Sequence, residues 1–203
     1  MERREITPQV PAADPREAHA RVTPAAAHEA AREVFLSGRR LDMLELSRRL
    51  GVGRTTLYRW CGHRERLLSD VIWSLTEERI HAFEAATVGL RGKERLREGI
   101  RLLMESAAHD PALHAFLRNE THAALRLMTA PGAGDTLHDR LIAELSRLIR
   151  EENERTDLHL RAEPEVVAMT IVRVMEAFIY NDTIARVEPR IDEAMRVLDF
   201  LLS

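Results

Sequence analysis

The sequence is poor in the residues that build secreted, membrane-spanning or metal-bound proteins. One cysteine, Cys61, occurs in 203 residues. No disulfide can therefore form within the chain, and a reducing compartment, the cytoplasm, is the expected location. No stretch approaches the ~20 apolar residues of a membrane helix, and the N-terminus has no apolar signal core, so no membrane partner is expected. Aromatic residues make up 4%. Sheets draw on aromatic and branched side chains, so this scarcity, with abundant Ala, Leu, Arg and Glu, favours helices. The nine histidines are scattered, and His109 and His114, five apart, make a poor helical chelate. Neither a metal nor a cofactor is expected. Catalytic patterns are missing too. Cys61 and His63 sit two apart at a helix junction, which does not aim a thiol at an imidazole. Glu151, Glu152 and Glu154 read as a solvated run, and there is no glycine-rich phosphate loop. No catalytic residue is assigned, and an enzyme is not expected.

Lysine is nearly absent as well, with Lys93 the only one, so the basic residues are arginines and their placement is uneven. Residues 39–66 hold eight arginines against Asp42, Glu45 and Glu65, a local charge of +5 that leaves −8 for the rest of a chain whose total is −3. A basic patch on an acidic body is the footprint of a nucleic-acid-binding module joined to something else.

Residues 1–22, with Pro8, Pro11 and Pro15, read as a flexible arm. Thr23-Pro24 is a helix start, and Ala27, Ala30, Ala31, Val34 and Phe35 give that helix one apolar face up to Gly38. Asp42 caps a short second helix through Leu46 and Leu50. Gly51-Val52-Gly53 turns the chain, and Arg54 to Trp60 forms a third helix. A long fourth helix starts at His63 and runs to about Ala86. Further helices are expected near 93–108, 111–129, 135–154, 164–186 and 188–202, separated by Gly, Pro and polar breaks. The fold class is all-α, with nine helices: an N-terminal three-helix module at 23–68 and a larger helical body at 69–203.

The segment Leu46 to Trp60 has helix-turn-helix spacing. Leu46 and Leu50 pack the first helix, Gly51 permits a left-handed turn, and Leu57 anchors the second helix. Arg54, Thr55, Thr56, Arg59 and Trp60 are then left to face a major groove, where arginine reads guanine and a threonine methyl meets thymine. Tyr58 suits a phosphate contact, and His63 and Arg64 at the next helix N-terminus suit an anion.

The string Gly51-Val52…Thr56-Leu57-Tyr58-Arg59-Trp60…Arg64-Glu65-Arg66-Leu67-Leu68 resembles the signature of TetR-family transcriptional regulators. Cys61 stands where that family usually has Phe, and Gly53 where it has a Ser-like cap. Arg40 to Met43, Leu125 to Thr129 and Ile171 to Tyr180 further resemble the QsdR-type branch, associated with control of lactone breakdown. The resemblance implies a homodimeric repressor on a near-palindromic double-stranded DNA operator, with a small-molecule effector of unknown identity bound in the body. It also implies pairing of the last two helices across a dyad. Their stripes, Ile171, Val174 and Phe178 with Ile191, Leu198 and Leu201, are the candidate interface. The soft side chains Met104, Phe116, Leu125 and Met128, with Thr121, Arg173 and Tyr180, are the candidate effector contacts. The rival reading is a helical scaffold whose helix-turn-helix no longer binds DNA.

Overall fold

A computed structural model describes residues 22–130, 136–156, 158–160 and 162–202. Nearly all of the expected N-terminal arm, and the Pro131 to Gly134 break, lie outside the described residues. All regular structure within them is helical.

Local chemistry sets the first three helices. Thr23 Oγ1 accepts from Ala26 N at 3.2 Å and starts α1 (Pro24–Leu36). Asp42 accepts from Leu44 N at 2.7 Å and Glu45 N at 2.9 Å to start α2 (Met43–Leu50). Gly51 then adopts φ +66°, a left-handed cap that a β-carbon would strain. The chain re-enters as α3 (Arg54–Cys61), which buries Leu57 completely against α1. Cys61 is buried in the same core as a small hydrophobe, and burial raises its thiol pKa.

The long helix α4 (Arg64–Ala86) is shared. It packs on α1 and α3 near its start and on α5 (Gly92–Ala108) and α8 (Leu137–Thr156) further along. Between those two come α6 (Pro111–Asn119) and α7 (Thr121–Thr129). The helix α9 (Pro164–Glu176) continues through a π turn at Ala177–Asn181 into α10 (Asp182–Ala185), so one rod runs from Pro164 to Ala185. The last helix, α11 (Ile191–Leu201), packs on α5 and α9.

The described residues thus form ten rods where nine were expected, because the helix expected at 111–129 is broken at Glu120. That residue has φ −130° and ψ 41° and turns its carboxylate onto Arg64. Thr121 Oγ1 donates to Leu117 O at 2.7 Å and occupies a carbonyl near the break. The acidic run on α8 also needs correction. Glu152 is not solvated but 1% exposed, accepting from Gly92 N at 2.6 Å and Arg95 Nη1 at 2.7 Å. Burial pushes its pKa up, but the Gly92 amide and Arg95 outweigh burial and hold it below the usual carboxylate value. No helix among the described residues is long and apolar enough to cross a membrane.

At Gly99 of α5 a β-carbon would lie 2.2 Å from Phe83 Cε2, closer than any real contact. Gly99→Ala should therefore force α4 and α5 apart and cost about 1–3 kcal/mol. Thermal unfolding should show a fall of about 2–4 °C per kcal/mol at this chain length. An unchanged midpoint would mean that the α4–α5 contact is looser than described.

Candidate nucleic-acid interface and internal cavity

The eight arginines of the basic patch separate into two sets. Arg39 pairs with Glu45 at 2.6 Å, Arg49 with Glu33, and Arg40 and Arg64 both with Glu120. Arg48, Arg54, Arg59 and Arg66 form no ion pair among the described residues and are exposed. The first set ties helices together, and the second keeps its charge available for phosphate or base edges.

With Leu57 inward, α3 presents Arg54, Thr55, Tyr58 and Arg59 to solvent, while Thr56 is half-buried. Trp60 is not free for a groove: it is half-buried and packs against the core. His63 caps α4, its Nδ1 accepting from Arg66 N at 3.2 Å, and is otherwise exposed. Arg64 was expected at phosphate, but two of its three guanidinium nitrogens are engaged within the protein. Nε donates to Leu41 O at 2.8 Å, and Nη2 reaches both Glu120 oxygens at 2.8 and 2.5 Å. Its side chain is 16% exposed. Arg64 instead clamps three segments: the α1–α2 loop, the start of α4 and the α6–α7 break.

Inside the body, α4, α5, α6, α7, α8 and α9 enclose a cavity of about 60 Å³. Ile72, Leu75, Leu103, Leu113, Met128 and Met175 give it an apolar wall, and Phe35 of α1 reaches it from the three-helix head. Phe35 also meets Phe116 of α6 edge-to-face, with ring centroids 5.8 Å apart.

The polar groups of the wall are mostly self-neutralising. Arg79 pairs with Asp110, whose other oxygen caps α6 at Ala112 N and Leu113 N. Glu176, 6% exposed, binds His138 Nδ1 at 2.7 Å and accepts from Arg173 Nη1 at 3.0 Å. The Tyr180 hydroxyl has no hydrogen-bond partner among the described residues. Burial, then the Glu176 charge, pushes its pKa well above the usual tyrosine value, so it remains a neutral donor. The π turn carries Tyr180 and places it beside Glu176 on the cavity wall.

Of the expected effector contacts, Met128 and Tyr180 line this cavity. Met104 and Phe116 are packed in the core, and Leu125 packs against it from a half-buried position. Thr121 bonds to Leu117 O, and Arg173 is exposed, bonding to Thr129 O at 3.0 Å. Arg79, Asp110 and His138 were missed. Asp110-Pro111 reads in sequence only as a helix start, and its partner Arg79 lies 31 residues away with no local signal.

The expected interface stripe needs a larger correction. Ile171 and Leu198 are completely buried within the protomer, and Val174, Phe178, Ile191 and Leu201 are half-buried against its core. Arg190 lies over the Phe178 ring at 5.5 Å. The apolar side chains that α9 and α11 leave outside are Val166, Met169, Val197 and Phe200, the last 65% exposed. The bulkier stripe serves the core, and the neighbouring one is exposed.

A helix-turn-helix head with unpaired arginines, continuous through α4 with a helical body that holds a cavity, is the architecture of a transcription regulator. Residues 91–203 match the family model described as Tetracyclin repressor-like, C-terminal domain. The chain belongs to the TetR family of transcriptional regulators, which are not enzymes. No curated protein matches it. Among solved structures, the TetR-family repressor QsdR of R. erythropolis is 26% identical, with TM-score 0.75, over 88% of this chain and 93% of that one. A TetR-family regulator of Pectobacterium atrosepticum is 20% identical, with TM-score 0.62, over 88% and 91%. AlkX of a Dietzia strain, a repressor implicated in n-alkane biodegradation, is 19% identical, with TM-score 0.55, over 89% and 97%. The last two show the fold alone.

The cavity wall makes its own prediction. Glu176→Leu leaves the buried His138 nitrogen without a partner and should cost about 1–3 kcal/mol. Tyr180→Phe removes a hydroxyl that bonds to nothing described, and should leave the unfolding midpoint unchanged or higher. A large loss in Tyr180→Phe would show that the hydroxyl is engaged.

Proposed function

We propose that the protein is a homodimeric, ligand-released repressor, and that its effector is a compact, neutral, mostly apolar molecule with a carbonyl-type acceptor, such as a lactone. Residues 23–68 would form the DNA-binding head and 69–203 the effector and dimer body, with α4 crossing the boundary. The setting would be the cytoplasm, where the operator lies.

The observation that carries DNA binding is the unpaired set Arg48, Arg54, Arg59 and Arg66, with Tyr58 exposed among them. Arg54, Thr55 and Arg59 would read bases, with Thr56 at the edge, while Tyr58 and the His63 cap would position phosphate. Trp60 and Arg64 are better placed to hold the head together. Two heads in successive major grooves would stand about 34–36 Å apart on a near-palindrome. For the dimer, the face of Val166, Met169, Val197 and Phe200 supplies the apolar centre that α9 and α11 would pair across the dyad.

The lactone reading rests on the cavity and on the likeness to QsdR. The acids of the wall already have basic partners, so a charged effector would enter without compensation, whereas the Tyr180 hydroxyl offers one donor to a neutral acceptor. Size supplies the mechanism. A void of about 150 Å³ is what benzene occupies, and the cavity here is about 60 Å³. An effector has to push the walls apart, which include Phe35 of the head and helices α6 and α7. The Arg64–Glu120 clamp at the α6–α7 break would pass that displacement to α4 and the head. Release follows only if the effector favours the opened state over the operator-bound one.

Gel shifts with double-stranded DNA from the upstream region of its own gene test the reading. Binding should weaken steeply with salt, and Arg54→Ala should lose about 1–3 kcal/mol of discrimination at one base position. Phe200→Glu should give monomers by light scattering and weaken binding further. γ-Lactones and acyl-homoserine lactones should release the DNA where their ring-opened acids do not. Absence of salt-dependent binding would leave the scaffold reading. Binding without release by any lactone would keep the repressor and remove the lactone.

A further inference from the structure

A second, more open concavity of about 540 Å³ lies between α6 and the turn from α10 into α11. It shares no lining residue with the Tyr180 cavity. Arg118 and Asn119 from α6 and Arg186 from the turn are exposed on its walls, with Glu188 the one acid. Neither Arg118 nor Arg186 has an ion pair among the described residues. Two further wall residues bring buried polar atoms with no partner there: Thr183 Oγ1, on a residue 3% exposed, and His114 Nε2. These are two of the five such atoms in the described structure, and both belong to residues of this groove.

The two orphans ask for different chemistry. The other side of the His114 ring bonds to the Ala108 carbonyl, while burial and the Arg118 charge hold its pKa below the usual histidine value. Nε2 of the neutral ring is therefore an acceptor awaiting a donor. The Thr183 hydroxyl can donate, and the two guanidinium groups are donors only.

We propose that this groove binds a small oxyanion that also carries a hydroxyl, a hydroxycarboxylate or hydrogen phosphate. Its charged oxygens lie on Arg118 and Arg186, and a small shift of the wall brings it to the buried Thr183 hydroxyl and lets its own hydroxyl donate to the buried His114 Nε2. Arg186 fits this role for a further reason. It is the one non-glycine residue of the described chain with positive φ, at +60°, where glycine is the unstrained choice. A guanidinium that acts on a ligand gives the position a use that glycine does not have.

Calorimetric titration of the full-length protein at constant ionic strength tests the site, with L-malate, succinate and inorganic phosphate as probes. Malate, phosphate or both should bind, and which one does so separates a carboxylate from a phosphate source. Succinate, which lacks only the hydroxyl, should bind about tenfold more weakly than malate. Arg186→Gly should weaken binding about tenfold without lowering the unfolding midpoint, because glycine accepts the backbone conformation. Thr183→Val should also weaken binding at unchanged stability. The proposal is overturned if neither malate nor phosphate binds at millimolar concentration, or if Arg186→Gly binds as tightly as the parent. It is also overturned if malate binds and succinate binds as tightly, or if Arg186→Gly changes the oligomeric mass, which would make the groove an interface between copies.

Discussion

The rest of the molecule depends on one partly buried ion pair. Arg64 and Glu120 stand 56 residues apart and meet at 2.5–2.8 Å, where the first turn of α4 faces the break between α6 and α7. The same guanidinium holds the Leu41 carbonyl, and Arg40 approaches the same carboxylate at 3.6 Å. A pair with this geometry and little solvent stabilises by orientation more than by net energy, because desolvation offsets much of the Coulomb attraction. Breaking it leaves each charge with only a weaker neighbour, and in the proposed mechanism the pair fixes the angle between head and body. That is the property a regulator needs if the separation of its two heads is to matter.

In the proposed mechanism the cavity supplies the opposing force. Its walls include Met128 of α7, Leu113 of α6, Ile72, Leu75, Thr76 and Arg79 of α4 and Phe35 of α1, so any expansion acts on both sides of the clamp. A roomy pocket could accept a ligand with no consequence for the head. A volume of about 60 Å³ cannot, since close-packed interiors shift between discrete arrangements and do not stretch smoothly. Arg79–Asp110 is a neutral pair on the wall, and Glu176 is held by His138 and by Arg173.

Much of the head was legible in the sequence, because its determinants are local. Thr23, Asp42 and Gly51 announce their caps by identity and position, and Leu57 announces its burial by spacing from Leu46 and Leu50. The body was less legible because its determinants are distant. Nothing between 111 and 129 marks a break, since Glu120 departs from helix only where Arg64 meets it. On α9 two apolar stripes run side by side, and periodicity finds the bulkier one, Ile171 with Val167, without saying that it faces the protomer's own core. Arg173, Glu176 and Tyr180, spaced at i, i+3 and i+7, divide into an exposed arginine and two buried groups, Tyr180 being carried by the π turn that follows Glu176. Arg64 shows the limit most plainly. Its motif position suits phosphate, and only the fold shows that its Nε and Nη2 are turned onto Leu41 and Glu120.

The account is tested most directly by comparing Glu120→Ala, Arg64→Ala and the double variant for affinity to the operator fragment across a salt series. If the pair sets the head, both single variants weaken binding to a similar extent, about 5–30-fold for 1–2 kcal/mol. The double variant is then no worse than either, and the salt slope is unchanged because no phosphate contact is lost. The account is contradicted if Glu120→Ala leaves affinity unchanged or tighter while Arg64→Ala weakens it and flattens the salt slope. Arg64 would then be a phosphate contact, and the angle of the head would have to be set elsewhere.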